Sequence, residues 1–269
     1  MRRVFVNGAR SAAALRAVQK LGLHQIGNRW LRRFPVIRRL SGSGVIYRTT
    51  RLASILLADE MFEKGSLYDA ALLPENFSTF ADLGCNVGYF TCWLAHLAAG
   101  RKLRGLMLDA NPAAVQEARW HAQANQMPEI YAINGIVGEG PDGQSAEFFL
   151  YESNICSTSH LTQELGQELK GKWQKISVPC VNIGSLWQKH FGDTRCHLLK
   201  IDIEGSEMNF LRAEPAFLSQ VDSILIEWHT WGSTLDEIKK ILAEHNFTYV
   251  KTIEESEKMG TAFFRRNTV

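Results

Sequence analysis

Acidic residues are missing from the first fifth of this 269-residue chain: residues 1 to 58 contain 12 Lys and Arg but no Asp or Glu. The chain has 30 bases and 28 acids in all, so the remainder carries 18 bases against 28 acids, and the net charge of +2 conceals two electrostatically different parts. An acid-free, Arg-rich start containing "SAAALRAVQKLGL" has the composition of an organelle transit peptide or a membrane-surface helix. The apolar spacing of "WLRRFPVIRRL" fits instead a basic helical cap that packs on the domain behind it, and the cap is the arrangement expected.

Cysteine is also scarce. The five present (Cys85, Cys92, Cys156, Cys180 and Cys196) are an odd number with no CxxC pair. This excludes a disulfide frame and a zinc site and predicts reduced, mostly buried thiols. No run approaches the ~18 apolar residues of a membrane span, and no apolar segment has the length and flanks of a secretory signal, so a cytoplasmic location is expected. Internal repeats and low-complexity tracts are absent too. With 45% hydrophobic residues the chain can bury a sizeable core, which we expect to be one enzyme-sized domain, residues 71–269, behind a basic and mainly helical extension, residues 1–70.

Helical patterns fill roughly residues 10 to 40. "GVIYRTT" then reads as a short strand and "RLASILLADEMFEKG" as a helix. Beyond residue 70 the rhythm changes. Strand "TFADL" leads to a helix over 88–99, and strand "LRGLMLDA" to a helix over 112–125 with Pro112 at its favoured first position. "IYAINGIV", "AEFFLY" and "KISVPCV" are further strands, the last preceding helix "IGSLWQKHF". "HLLKID", a short helix near 206–212, "SILIEW" and a helix over 234–245 come next, and "FTYVKTI" with "TAFFRR" reads as a terminal hairpin. Strands alternating with helices of this length imply a doubly wound α/β sheet, mostly parallel, whose ligand lies at the carboxyl ends of the strands near the switch in strand order. Asp82, Asp109, Asp202 and Glu227 all fall at or near such ends.

The stretch "FADLGCNVGYF" combines a strand, an acid and a turn with Gly84 and Gly88. Its spacing is neither GxGxxG nor GxxxxGK[ST], and Asp82 beside the turn would repel pyrophosphate. A ligand carrying a carboxylate, an ammonium and ribose hydroxyls, such as S-adenosylmethionine, suits these charges better. Asp109, 27 residues further on, stands where a ribose diol would be accepted, a feature shared with NAD sites.

Taken in order, "FADLGCNVGYFT", "LDANPAAVQEARWHAQAN", "NGIVGE", "LLKIDIEGSEMNFL" and "ILIEWH" resemble the FkbM-type S-adenosylmethionine-dependent methyltransferases over roughly residues 60 to 230, with "LLKIDIEGSE" the most specific piece. Asp109 stands where the family often has Glu, and Cys85 where it often has Ala. The resemblance implies the class I methyltransferase fold, a Rossmann-like seven-stranded sheet, and O-methylation of a hydroxyl on a sugar, glycan or natural product. It also implies that Asp82, Gly84, Cys85, Asn86, Gly88 and Tyr89 form the cofactor loop on the methionine and ribose side. Asp109 would take the ribose hydroxyls, Ala110 and Asn111 would lie near the adenine, and Asn134 and Ile136 would close that pocket.

An alcohol acceptor needs alignment and loss of its proton, and the candidates are Lys200, Asp202 and Glu204 of "KIDIEG" with Glu227 and His229 of "IEWH". Strand alternation would place Lys200, Asp202 and Glu204 on one face, either as an acceptor-facing cluster or as a Lys–carboxylate network that orders the loop. His229 is the first choice of base because histidine alone titrates near neutrality without a large shift. No metal ligand set is assigned, although Asp202 and Glu227 leave a divalent cation open. "ESNICSTSHL" suits a lid, and Trp228 and Trp231 a stacking wall. The alternatives are an RNA methyltransferase using the basic extension and a non-catalytic cofactor-binding protein. The absence of an Asn/Asp-Pro-Pro-aromatic motif argues against base methylation. Helices before residue 60 suit either a lid or a dimer contact.

Overall fold

The computed structural model describes residues 24–62, 68–98, 100–151, 157–159 and 173–267. Helix α1 (His24–Arg33) ends ahead of Pro35, which cannot donate a backbone hydrogen bond. The chain then forms a hairpin, β1 (Val36–Arg39) and β2 (Ile46–Thr49), paired from Val36↔Thr49 to Arg39↔Ile46. The helix expected to run to residue 40 is therefore shorter, and the residues directly after the proline form a strand. The part of that helix before residue 24 lies outside the described residues.

Helix α2 (Leu52–Phe62) packs against α1: Leu31 is buried, Gly27 faces the Leu52 side chain, and Asn28 Oδ1 accepts from Leu52 N at 2.9 Å.

The central domain begins with β3 (Thr79–Leu83), α3 (Tyr89–Leu97), β4 (Arg104–Asp109), α4 (Pro112–Ala124) and β5 (Ile130–Asn134). β6 (Ser145–Tyr151) and β7 (Trp173–Pro179) come next as a separate antiparallel pair. After these come α5 (Ile183–Phe191), β8 (Leu198–Ile201), α6 (Glu207–Ala213), the short α7 (Pro215–Leu218), β9 (Ser223–His229), α8 (Leu235–Glu244), β10 (Phe247–Glu255) and β11 (Met259–Arg266).

The seven-stranded sheet has the order β5-β4-β3-β8-β9-β11-β10, which is 3-2-1-4-5-7-6 when its strands are counted along the chain. β11 runs antiparallel between β9 and β10, and the other six strands all point the same way. This is the class I methyltransferase topology, with its terminal hairpin as expected.

Parallel strands covered by helices on both faces must be apolar throughout, and every residue of β3 is buried. One face carries Phe80, Leu94, Met107 and Val115, the other Leu83, Leu106, Trp187 and Phe210, in two apolar layers. The extension is tied to the first layer through α4. Ile46 N donates to Asn125 Oδ1 (2.6 Å), Arg48 N to His121 Nε2 (3.0 Å), and the Arg48 guanidinium grips Glu117 at 2.7 and 3.0 Å. Burial lowers the His121 pKa, which keeps that imidazole a neutral acceptor.

The β6–β7 pair hangs from the main sheet by the bridge Ile136↔Cys180 and buries Phe148 and Val178 against Ala110 and Ile136. Cys85, Cys92, Cys180 and Cys196 are buried and free, in line with the expectation of reduced thiols, and Cys156 lies outside the described residues.

Candidate active site

The switch point of the sheet lies between β3 and β8, where the chain changes direction of strand addition. β3 delivers the turn 84–88 there. Gly84 and Cys85 both donate to Leu108 O, at 2.9 and 3.0 Å, which seats the turn on the end of β4. Gly84 has φ +72, and a Cβ built on it would lie 1.7 Å from Asp202 O, so the turn runs in backbone contact with the loop after β8. Gly88, with φ +85, opens α3 and packs against Ala118 of α4.

Asp109 at the end of β4 is held by two backbone donors, Asn86 N to Oδ2 (2.7 Å) and Asn111 N to Oδ1 (2.8 Å). Burial raises its pKa to about 6, and the same two hydrogen bonds oppose the rise. Each oxygen keeps a further lone pair for an outside donor.

These elements border a cavity of about 350 Å³. Gly84, Cys85, Asn86, Tyr89, Asp109, Ala110, Asn111 and Ile136 of the expected cofactor set line it, as do Lys200, Asp202, Glu204, Glu227 and His229 of the expected acceptor set. Asp82, Gly88 and Asn134 do not reach its surface; they shape it from behind. Asp82 is fully buried with its Oδ1 3.4 Å from Lys200 Nζ, while Asn134 Nδ2 donates to Asp109 O (3.0 Å) and Ala110 O (2.9 Å), fixing the turn after β4.

On the acceptor side, Lys200 Nζ donates to Gly84 O (3.1 Å) and Asp202 Oδ2 (3.2 Å). Burial works against the ammonium, but Asp202 and Asp82 hold its pKa well above the usual value, so Lys200 stays charged. The alternation expected for Lys200, Asp202 and Glu204 breaks down because β8 ends at Ile201 and Glu204 takes a left-handed φ of 54. Glu204 is brought to the cavity by the loop, where its backbone carbonyl accepts from Thr158 Oγ1 at 2.8 Å.

His229 ends β9 with its ring almost fully buried among carboxylates. Nδ1 lies 3.0 Å from Glu207 Oε1, and Nε2 lies 3.5 Å from both Glu204 Oε2 and Glu227 Oε1. Burial disfavours its charge, yet the Glu207 hydrogen bond and the charges of Glu204, Glu207 and Asp202 raise its pKa to about 10. Carboxylates at both ring nitrogens thus favour the imidazolium in the free protein, which counts against His229 as the base. Glu227 has its own pKa pushed up to about 8 by burial and by Asp202, which brings a carboxylate into the range of a base. Asp202, Glu227 and His229 each offer a ligand atom within 4.8 Å of the others, a spacing that could hold a divalent cation.

Trp231 faces the cavity, its ring 4.6 Å from that of His229, whereas Trp228 is buried against Gly260 and forms no wall. Ser157 and Ser159 reach the cavity from the 150s loop, whose neighbours on either side lie outside the described residues. Among the lining residues that had no signal in the sequence are Glu60, Met61 and Tyr68, from the segment before β3, and Phe90 of α3. Glu207, the nearest carboxylate to His229, was likewise hidden, since "IEGSE" contains it without any mark of the role.

With this geometry in place, sequence comparison becomes decisive: the model of the methyltransferase FkbM domain matches residues 73–249. The chain belongs to the FkbM methyltransferase family. S-adenosylmethionine is its cofactor, in keeping with a glycine turn, a β4 carboxylate and a cavity between them. The donor set fits that group, because Asp109 has lone pairs to spare and the turn offers backbone at its glycines.

No curated protein matches this FkbM methyltransferase in sequence. Among solved structures it is similar to M. capricolum TrmK in complex with S-adenosyl-homocysteine (11% identity, 75% of this chain and 70% of that one, TM-score 0.43). It is also similar to M. jannaschii TYW2 in complex with AdoMet (10%, 87% of each chain, 0.42). A third is the mitomycin 7-O-methyltransferase MmcR (12%, 74% of this chain and 51% of that one, 0.38).

Proposed function

We propose that this enzyme methylates a hydroxyl of a neutral sugar, glycan or natural product in the cytoplasm. The observation that carries this reading is the concentration of carboxyl groups in the lining of the cavity. Glu60, Asp202, Glu204 and Glu227 line it, and the two cations there, Lys200 and His229, are already paired with carboxylates. Such a wall exchanges hydrogen bonds with several hydroxyls and offers a phosphate backbone no cation that is not already paired. RNA is disfavoured on that ground, despite the basic extension.

In this reading Asp109 takes the ribose hydroxyls, Gly84, Asn86 and the helix start after Gly88 border the methionine and ribose, and Ala110, Asn111 and Ile136 border the adenine. Bound there, S-adenosylmethionine supplies a methyl group already activated on a sulfonium. The protein's share is to set the acceptor oxygen in line with that methyl, worth ~7 to 11 kcal/mol of the barrier, and to take the hydroxyl proton. Glu227 takes it, with Asp202 beside it. Lys200 and the His229 imidazolium hold the surrounding carboxylates in place. Helix α2 and Tyr68 cap the acceptor side, since Leu57, Met61 and Tyr68 line the cavity.

A second reading of the same cluster is a divalent cation on Asp202, Glu227 and His229 that draws two acceptor hydroxyls together, favoured by their mutual spacing. Electron paramagnetic resonance of added manganese distinguishes the two, because direct proton removal by Glu227 needs no bound ion.

The test begins with calorimetric titration by S-adenosylhomocysteine, with NAD and ATP as controls. Transfer of labelled methyl groups to a panel of neutral glycans, polyhydroxylated natural products and RNA comes second. Label in a neutral hydroxyl compound is expected, and label in RNA alone overturns the assignment. Glu227→Gln should cut turnover by about 10²- to 10⁴-fold while S-adenosylhomocysteine affinity stays as in the parent.

A further inference from the structure

Five of the eight exposed large hydrophobic side chains among the described residues fall within residues 26 to 37: Ile26 (67% exposed), Trp30 (58%), Phe34 (53%), Val36 and Ile37 (60%). Their arrangement is regular. Ile26, Trp30 and Phe34 recur at intervals of four, and Phe34 N still donates to Trp30 O (2.8 Å), so the three form one stripe along α1 and its last turn. The Trp30 and Phe34 rings lie 5.7 Å apart on that stripe. Leu31, one position round, is the side chain that packs inward, so the stripe is a second apolar face that the domain does not use. Ile37 extends it onto β1, all four residues of which are exposed.

The charged residues around the stripe are of one sign. Arg29, Arg32, Arg33, Arg38 and Arg39 are exposed within the same segment, and no Asp or Glu occurs before Asp59. Residues 1–23, outside the described part, add Arg2, Arg3, Arg10, Arg16 and Lys20 and again no acid. Of the five exposed arginines, Arg38 lies 3.5 Å from Asp59 and Arg39 donates to Gly44 O.

We infer that this face docks the enzyme on an anionic phospholipid bilayer, with Ile26, Trp30, Phe34 and Ile37 entering the headgroup–acyl boundary and the arginines pairing with lipid phosphates. Two other occupants fit less well. A second copy meeting this face symmetrically would set arginine against arginine. A nucleic acid would pair with the arginines and stack on Trp30 and Phe34 but leave the aliphatic Ile26 and Ile37 in water. A bilayer surface takes up both kinds of group, aliphatic and aromatic side chains beneath and guanidinium above. No described helix is long and apolar enough to cross a membrane, so the attachment is peripheral. The docking face is one helix away from the cavity, because α1 packs on α2 and Leu57 and Met61 of α2 line it.

The test is cosedimentation of the full chain with vesicles of phosphatidylcholine alone, and of phosphatidylcholine with phosphatidylglycerol at about two to one, at low and high salt. Binding to the anionic vesicles, weakened by salt and absent from the neutral ones, is expected. The triple variant I26S/W30S/I37S should bind at least about tenfold more weakly at the same charge, since interfacial binding scales with the apolar area buried. The pair R29E/R33E should lose the preference for phosphatidylglycerol. Both variants should bind S-adenosylhomocysteine as the parent does, which shows that they fold and separates this proposal from the acceptor assignment. A parent indifferent to anionic vesicles, or a triple variant that binds them like the parent, overturns the proposal. So does tight binding of single-stranded RNA, or self-association that the triple variant abolishes, in a parent that ignores vesicles.

Discussion

Lys200 and Asp82 form an ion pair across neighbouring parallel strands, Nζ to Oδ1 3.4 Å, with their side chains 5% and 0% exposed. The two are register partners in β8 and β3, so the pair joins the strands on either side of the switch point. Removing one member leaves the other charge buried. Lys200→Met should therefore lower the unfolding free energy by about 3–5 kcal/mol in a denaturant titration, and the double variant Asp82→Leu/Lys200→Met should lose much less than the sum of the singles. Additive losses would mean that the pair is not coupled.

Gly84→Ala tests the contact between the two loops. Its Cβ would sit 1.7 Å from Asp202 O at a φ of +72, so the turn and the loop after β8 cannot both keep their places. A loss of at least about 2 kcal/mol in stability, together with loss of S-adenosylhomocysteine binding, is expected. A variant with parental affinity and melting temperature would contradict the geometry.

The Asp109 carboxyl sets a pH dependence. Its folded pKa, about 6, lies above the ordinary value of 3.8. In the free protein the ionised form therefore costs stability, and that cost builds up as pH rises from 3.8 to about 6. Ribose hydroxyls donate to the ionised form, so S-adenosylhomocysteine affinity should rise with pH up to about 6 and level off above it. Asp109→Asn should bind ~10- to 100-fold more weakly at pH ~7.5 and show a flat profile across this range. A parental profile in the variant would move the ribose contact elsewhere.

Trp231 stands at the acceptor end of the cavity, its ring beside His229. Trp231→Ala should raise the acceptor KM by about tenfold, in the range of one aromatic–ring contact with its burial, and leave S-adenosylhomocysteine affinity unchanged. An effect on the cofactor alone would place the wall on the wrong side.

The parts of the site legible in sequence were those written locally. The β3 turn needs glycine where the backbone must approach Asp202, and the acids at strand ends arise from period-two strands running into loops, so Asp109, Asp202 and Glu227 stand out along the chain. His229 was visible as a residue but not as a chemical state, because its charge depends on Glu207 and Glu204, which reach it only once α6 and the loop before it fold back. Lys200, Asp202 and Glu204 looked like one face of a strand, and the positive φ of Glu204 ended that face. The stretch "WLRRFPVIRRL" misled most. Its apolar spacing suited a core-facing helix, but Pro35 divides it, and of Trp30, Leu31, Phe34 and Ile37 only Leu31 turns inward.

The place of β11 has a consequence for synthesis. β9 carries Glu227 and His229 and finds its outer neighbour in β11, while β10 lies beyond β11 at the sheet edge. During translation β9 emerges first and waits with one side of its backbone unpaired until β10 has passed and β11 can slot in between. The buried imidazolium and its carboxylates are thus assembled late, and a nascent chain stalled after residue 246 would present an open strand edge for a chaperone to shield.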